Sequence, residues 1–503
     1  MKVLSIVESG FDGILAEVEC HLSNGLPSIV IVGFATKAVD EAKERIRSAF
    51  GASSIPFPKK RITINLAPAD VPKENSGFDL PIAISIMAAD ETIKPINGDM
   101  VLFGELGLDG SLRPIRGIIG KLFSARRHGI VRAIIPSANA RQAALVTDME
   151  IYPFDSLQDL YAALASGKPL IPLLPAKNPS QPRTKHGALD FSDVTGQQQA
   201  KRAMEIAAAG NHNILLNGPP GTGKSMLAKA LPSILPPMTR KETLETTHLH
   251  SLGSKKYDAI VPTRPFRSPH HSASDTAIIG GGRNPKPGEI SLSHNGVLFF
   301  DEIPEFRRPA IEALRQPLED KIISVSRAKD TLEFPANFIL VATANPCPCG
   351  FFGTDKACSC LPGQIQKYQR KLSGPILDRI DLYANVENVD HDKLLDKNTT
   401  SEPSKQIQQR VIYARTHQAK RFDSGRTNST MTNQEIKTLA HVSSEAKALL
   451  NKAGKQLELS PRAYMRTIKV ARTIADLDGS TTVKPEHIAE AIQYRPQMTK
   501  INI

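Results

Sequence analysis

Short apolar runs set the character of the first third of the chain. Ser28-Ile-Val-Ile-Val-Gly33 and Arg61-Ile-Thr-Ile-Asn-Leu66 are brief and β-branched, which predicts strands, and they alternate with helical patterns over Lys37 to Phe50 and Lys121 to His128. Residues 1–166 therefore read as an α+β domain. Prolines at 169, 172, 175, 179 and 182 among polar residues then predict a semi-extended linker over 167–187. From 188 to 389 strands and helices alternate as a parallel α/β sheet requires. A helical C-terminal domain, 390–503, opens on a polar stretch and carries predicted helices over Ile436 to Leu450, Ala463 to Leu477 and Pro485 to Tyr494. The chain is thus a multidomain α/β protein without internal repeats.

Composition narrows the function classes. The 503 residues are 40% apolar, enough for several cores. A formal charge of +12 favours polyanionic partners, because neutralising phosphates releases their counterions. No apolar run reaches the ~18 residues of a membrane span. Glu8, Asp12, Glu17 and Glu19 interrupt the segment where a secretory signal needs an apolar core. The expected location is the cytoplasm, with no membrane partner. In that reducing setting Cys347, Cys349, Cys358 and Cys360 argue for a metal before disulfides.

The sharpest motif is Gly218, Pro219, Pro220, Gly221, Thr222, Gly223, Lys224 and Ser225, preceded by the apolar strand Asn213-Ile-Leu-Leu216 and followed by a helical run. In that order of strand, loop and helix, the glycines turn backbone N–H groups toward a β-phosphate and Lys224 reaches the β- and γ-phosphates. Ser225 joins the shell of Mg²⁺, so ATP and Mg²⁺ are the expected cofactors. Gly296-Val-Leu-Phe-Phe-Asp-Glu302 is a strand ending in two carboxylates: Asp301 to hold the magnesium through water, Glu302 to polarise the attacking water. A further apolar strand, Asn337 to Thr343, leads to Asn345, an amide placed to sense the γ-phosphate. In Ser373-Gly-Pro-Ile-Leu-Asp-Arg-Ile-Asp381, Arg379 is suited to reach a neighbouring subunit's nucleotide, or else to pair with Asp378 or Asp381. Arg462, in Leu459-Ser-Pro-Arg-Ala463, is the candidate lid arginine contacting nucleotide, with Arg466 as the alternative. Together these parts describe a ring-forming ATPase of the AAA+ kind.

Two basic segments carry the nucleic-acid reading. Residues 319–334 read as two short strands around Arg327-Ala-Lys-Asp330, a hairpin on which Arg327 and Lys329 either grip a phosphate backbone or form a solvated turn. Gly280-Gly-Gly-Arg-Asn-Pro-Lys286 offers Arg283 and Lys286 on a second flexible loop. His270 and His271 nearby are read as polar loop residues. The four cysteines can close a tetrahedral zinc site, although their Cys-x-Cys pairs depart from the usual two-residue spacing; the alternative is four thiols without metal.

Arg267-Ser-Pro-His-His-Ser-Ala-Ser274, Pro287-Gly-Glu-Ile-Ser-Leu292, Asn345-Pro-Cys-Pro-Cys-Gly350, Leu372 to Leu382 and Ala471-Arg-Thr-Ile-Ala-Asp476 resemble the magnesium-chelatase-like AAA+ proteins of the ComM or YifB type. The resemblance spans nearly the whole chain. It implies a Lon-protease-like or ribosomal-S5-like N-terminal domain, a chelatase-type ATPase core and a helical lid. It also implies a hexameric DNA helicase that promotes branch migration during natural transformation. A metal-inserting chelatase subunit and an ATP-dependent protease are the competing classes. Pro72-Lys-Glu-Asn-Ser-Gly-Phe-Asp-Leu80 resembles the Lon nucleophile loop, but Gly77 stands where the serine belongs and Ile119 where the lysine belongs, with Ser76 and Lys121 as neighbours. Without nucleophile and base there is no covalent mechanism.

Overall fold

The structure is a computed structural model, and it describes residues 2–33, 41–71, 73, 76–96, 98–175, 189–253, 259–282, 285–326, 331–372, 374–388, 401–422 and 425–496. The N-terminal part is built on seven strands: β1 (Lys2–Ser9), β2 (Asp12–Ser23), β3 (Ser28–Val32), β4 (Arg61–Ala67), β5 (Met100–Leu102), β6 (Arg132–Pro136) and β7 (Glu150–Phe154). They form one mixed sheet in the order β3-β4-β2-β1-β5-β6-β7. The helix Asp79–Ala89 is apolar all round and buried along nearly its whole length, as a helix through the middle of a core must be. Its one acid, Asp79, is satisfied by Arg45 at 2.7 and 2.9 Å and by the Leu106 N–H. Residues 168–175 carry no helix or strand, and the Leu173 N–H donates to the Ile151 carbonyl at 2.7 Å, so these first residues of the predicted linker stay on this domain.

The second sheet is parallel throughout, in the order β9-β10-β13-β8-β14, where β8 is Ile214–Asn217, β9 Phe266–Arg267, β10 Val297–Phe300, β13 Ile339–Ala344 and β14 Leu382–Asn385. Strands β11 (Ile322–Ser326) and β12 (Thr331–Pro335) pair antiparallel from Ile322↔Pro335 to Ser326↔Thr331, as the sequence predicts. Residues 327–330, with Arg327 and Lys329, lie outside the described residues, as does Arg283.

One face of this sheet shares a continuous core with the C-terminal helices. The 19-residue helix Ser404–Phe422 supplies Ile407, Val411, Ala414, Gln418 and Phe422 to it, a one-sided stripe that a buried glutamine and a strongly charged outer face hide from sequence inspection. The single helix expected over Ile436 to Leu450 is two helices, Asn433–Leu439 and Ser444–Gln456. Local chemistry explains the break: His441 is left-handed at φ 47°, Val442 bridges Val483, and Ser443 caps the second helix through the Ala446 N–H. Asp476, almost fully buried, accepts from Arg421, Arg472 and Asn428 at 2.6 to 2.9 Å. Removing the acid that neutralises the fully buried Arg472 and the partly buried Arg421 leaves both guanidiniums uncompensated.

The N-terminal domain packs on the helix Arg240–Gly253. Leu244 enters its core, Arg240 donates to the Leu145 carbonyl and Gln142 to that of Ala259. His248 sits in this seam, its Nε2 2.9 Å from the Phe11 carbonyl and its ring 4.7 Å from the Phe11 ring. Burial pushes the imidazole down to about 4; the Phe11 carbonyl and Asp12 resist this and Lys121 adds to it.

Asp476→Ala should therefore destabilise the C-terminal helices by about 3–5 kcal/mol, seen as a lowered calorimetric transition. Because its folded pKa lies below the ordinary 6.5, neutral His248 stabilises the seam fully above pH 6.5, and that contribution is lost as pH falls toward 4. Melting temperature should fall more steeply across this window in the wild type than in His248→Gln; parallel curves would refute the assignment.

Candidate functional site

Three parallel strands end on one edge of the second sheet, where ligands of open α/β sheets bind. Their register is fixed: Asn217 lies beside Ala344, and Phe300 beside Ala342. The residues that follow are the phosphate loop, Asp301-Glu302 and Asn345. Gly221 and Gly223 have φ of 80° and 89°, the left-handed region that lets glycine turn successive N–H groups to one side. Gly223 then starts the helix Lys224–Ile234, adding its positive end.

Every sequence-predicted core residue of the ATP site meets another. Ser225 Oγ donates to Asp301 at 3.0 and 3.2 Å, a hydroxyl and carboxylate set that fits magnesium. The Lys224 amine donates to the Gly218 and Pro219 carbonyls at 2.6 Å each and to Asn345 Oδ1 at 3.1 Å. Burial lowers the lysine's pKa, opposed by Asp301 and Glu302, so the fold holds a desolvated cation that an anionic ligand would relieve. Asn345 Nδ2 in turn donates to Glu302 Oε1 at 3.2 Å. Glu302 adopts φ 53°, a strained conformation for a side-chain-bearing residue, and its carboxylate is exposed.

Sequence reasoning missed the residues that organise these. Thr343 Oγ1 donates to Asp301 at 2.7 Å and accepts the Glu302 N–H at 2.7 Å, so one hydroxyl orders both acids. Being a Thr in an apolar strand, it gave no signal. Gln197 joins the loop carbonyl of Thr222 to that of Glu387.

The arginines divide. Arg379 is buried and pairs with Glu319 at 2.7 Å, not with Asp378 or Asp381, and donates to the Pro375 carbonyl. Its Nε has no partner among the described residues. Arg462 is exposed in the first turn of Pro461–Leu477 and makes no hydrogen bond or ion pair among the described residues, whereas Arg466 binds Asp381 at 2.7 Å. Lys286 is exposed, opposite Gly281 in a two-residue pairing. His270 and His271 are exposed, with their rings 4.1 Å apart and tilted at 34°, and neither belongs to a cluster of metal-ligating groups among the described residues.

Four sulfurs converge just past Asn345. Cys347, Cys349, Cys358 and Cys360 bring their Sγ atoms within 4.8 Å of one another, with individual separations of 3.3, 3.5 and 3.7 Å. Thiolates at about 2.3 Å from one tetrahedral zinc stand just under 4 Å apart, so the donor set fits a single ion despite the short Cys-x-Cys spacing. The N–H groups of Phe352 and Cys349 point at Cys347 and Cys360 sulfurs, the usual support for thiolate. In the N-terminal domain Gly77 is buried and bonded to Gly104, Ile119 is fully buried, and the Lys121 amine is buried against the Ile6 carbonyl. The described residues form no Lon-type dyad at these positions.

Lys224→Ala should abolish ATP binding. Glu302→Gln should retain binding and lower kcat by about 10²-fold or more, as read by fluorescent-nucleotide titration beside phosphate release; equal losses of binding in both would contradict the division of roles.

Among the described residues no helix is long and apolar enough to cross a membrane. Three family models cover the chain: subunit ChlI of Mg-chelatase at 18–139, magnesium chelatase subunit ChlI at 190–394, and its C-terminal region at 401–495. Competence protein ComM of Haemophilus influenzae is 44% identical over 498 residues, 98% of this chain and 97% of that protein. YifB of Escherichia coli is 43% identical over 480 residues, 95% of this chain and 93% of its own. Similarity to Lon protease of Solibacter usitatus is partial, 31% over 143 residues, 27% of this chain and 18% of Lon. With near-complete coverage at this identity, and with the ATP site assembled as described, the chain belongs to the ComM/YifB family of magnesium-chelatase-like AAA+ proteins.

Proposed function

We infer that the protein is an ATP-driven DNA motor that acts as a homohexamer and migrates branched or single-stranded DNA during recombination and natural transformation. The observation that carries this is the β11–β12 hairpin, which leads straight into β13 and hence into Asn345, beside Glu302 and Lys224. Movement of that hairpin and the state of the γ-phosphate are thereby mechanically linked. Supporting it are the +12 charge, the basic residues Arg327, Lys329, Arg283 and Lys286, and the similarity to a competence protein.

In this reading Lys224 leaves its loop carbonyls for the β- and γ-phosphates, and Glu302, oriented by Asn345, polarises water for in-line attack. Ser225 and Asp301 hold magnesium, which neutralises phosphate charge. Arg379 acts on the neighbouring subunit's nucleotide by exchanging its half-exposed partner Glu319 for phosphate, one anion for another, so the buried guanidinium stays compensated. Arg462, already free of partners among the described residues, meets nucleotide from the lid. The four cysteines hold structural zinc, and the protein works in the cytoplasm.

A metal-insertion ATPase is the second reading, favoured by the ChlI models matched along the chain. It shares the engine and gives no role to the positive charge.

ATP hydrolysis should rise several-fold with branched or single-stranded DNA, vanish in Lys224→Ala, and lose DNA stimulation in Arg327→Ala. Holliday-junction migration with ATP and magnesium should fail in Glu302→Gln. Indifference to every DNA tested would remove the motor reading and leave the chelatase one.

A further inference from the structure

The segment from Asn345 to Gly350 is pinned at both ends to the nucleotide site. At its start Asn345 touches Lys224 and Glu302. At its end Gly350, at φ 87°, lies so close to the phosphate loop that an added Cβ would stand 2.5 Å from Pro220 Cδ. A proline ring cannot swing aside as a flexible side chain can, so only glycine allows this approach. Between the two pins sit Cys347 and Cys349. The Gly350 N–H closes a turn onto the Cys347 carbonyl at 3.0 Å, which makes the thiol loop and the contact with Pro220 one unit.

The other two cysteines lead into the helix Pro362–Gln369, which is itself fastened to the segment. Gln369 Nε2 donates to the Pro346 carbonyl at 3.2 Å, and the buried Tyr368 lies in the field of Glu302 and Glu305. Bonds from all four sulfurs to one ion would fix residues 347–350 relative to this helix, and so fix how firmly Gly350 backs Pro220.

We propose that the four-cysteine metal site is a clasp on the phosphate loop, so that metal occupancy and ATP occupancy strengthen each other through the Gly350–Pro220 contact. This rests on the zinc reading above. The clasp acts by position: the thiols touch no phosphate, and a cluster that merely staples its own loop would leave the two occupancies independent. Coupling free energies between sites are reciprocal, so the effect is measurable from either side. A coupling of about tenfold is ordinary for linked sites.

The test uses the full chain. Zinc content is measured first, then the rate at which zinc passes to a zinc-selective chelator that leaves magnesium bound, with and without ATP and magnesium. ATP should slow that transfer about tenfold in the wild type and leave Lys224→Ala unaffected. Gly350→Ala should keep its zinc and bind a fluorescent ATP analogue about tenfold more weakly, with zinc release insensitive to ATP. A Cys358→Ser/Cys360→Ser variant should lose zinc and weaken nucleotide similarly. One zinc per chain with identical release rates in the presence and absence of ATP would overturn the clasp while leaving the zinc site standing. A protein that neither retains nor takes up zinc would overturn the zinc reading and the clasp with it.

Discussion

Everything at the ATP site depends on the parallel register of β8, β10 and β13. Because Asn217 pairs with Ala344 and Phe300 with Ala342, residues far apart in sequence leave the sheet at one level. Four-residue strands such as β8 and β10 hold little stability alone. Their apolar side chains, buried on both faces, supply it. A one-residue slip would reverse every side chain and separate Ser225 from Asp301. Thr343 then refines what register only approximates, since its single hydroxyl donates to the Asp301 carboxylate beside Ser225 and accepts the backbone N–H of Glu302.

A second constraint joins the lid to this sheet. Asp381, just ahead of β14, is buried among Arg466 at 2.7 Å, His212 at 3.3 Å and the Asn213 N–H at 3.2 Å. Burial alone would favour its neutral form, yet Arg466, His212 and Arg495 hold the carboxyl well below the usual range. His212 continues to Thr473 on the lid helix, and Tyr383 donates to the Tyr494 carbonyl. The lid is therefore fastened to the two strands that flank the phosphate loop on that side, β8 and β14. Arg379 stands two residues before Asp381, so the arginine and the acid that fastens the helical domain share one short stretch of backbone.

What was legible in the sequence was what obeys local rules. The phosphate loop carries its chemistry in contiguous residues, strands fully buried between layers read as unbroken apolar runs, and the hairpin alternates as a strand pair does. The misses share a cause: polar residues that tertiary partners satisfy look like surface. The helix Arg240–Gly253 buries Thr243, Thr246, Thr247, His248 and Ser251, so no apolar stripe marks it. Ser404–Phe422 was hidden by Gln418, which is buried because it bonds the Ala209 carbonyl and the Asn428 N–H. The break at His441 needed the Val442–Val483 bridge, a contact that spacing along the chain does not encode. Arg379 chose Glu319 over its sequence neighbours for the same reason: adjacent side chains in a turn diverge, and folding brought a distant acid nearer.

The N-terminal domain is tied to the ATPase by its first turn. Gly10, at φ 62°, lies against Leu332 of β12, and Phe11 packs both on His248 and on the second core of the ATPase sheet. The same strand β1 offers its Ile6 carbonyl to Lys121, whose amine burial would otherwise leave unsatisfied. The region where the sequence resembles a Lon site is thus occupied by structural duties: the amine holds β1 in place, and β1 ends in the turn that braces the hairpin. A lysine kept for catalysis would need an open face and a nucleophile. Here Gly120 on the same helix is pressed by His248 so closely that no side chain could stand there. The helix that carries Lys121 and Gly120 is thus one of the elements by which this domain packs on the ATPase.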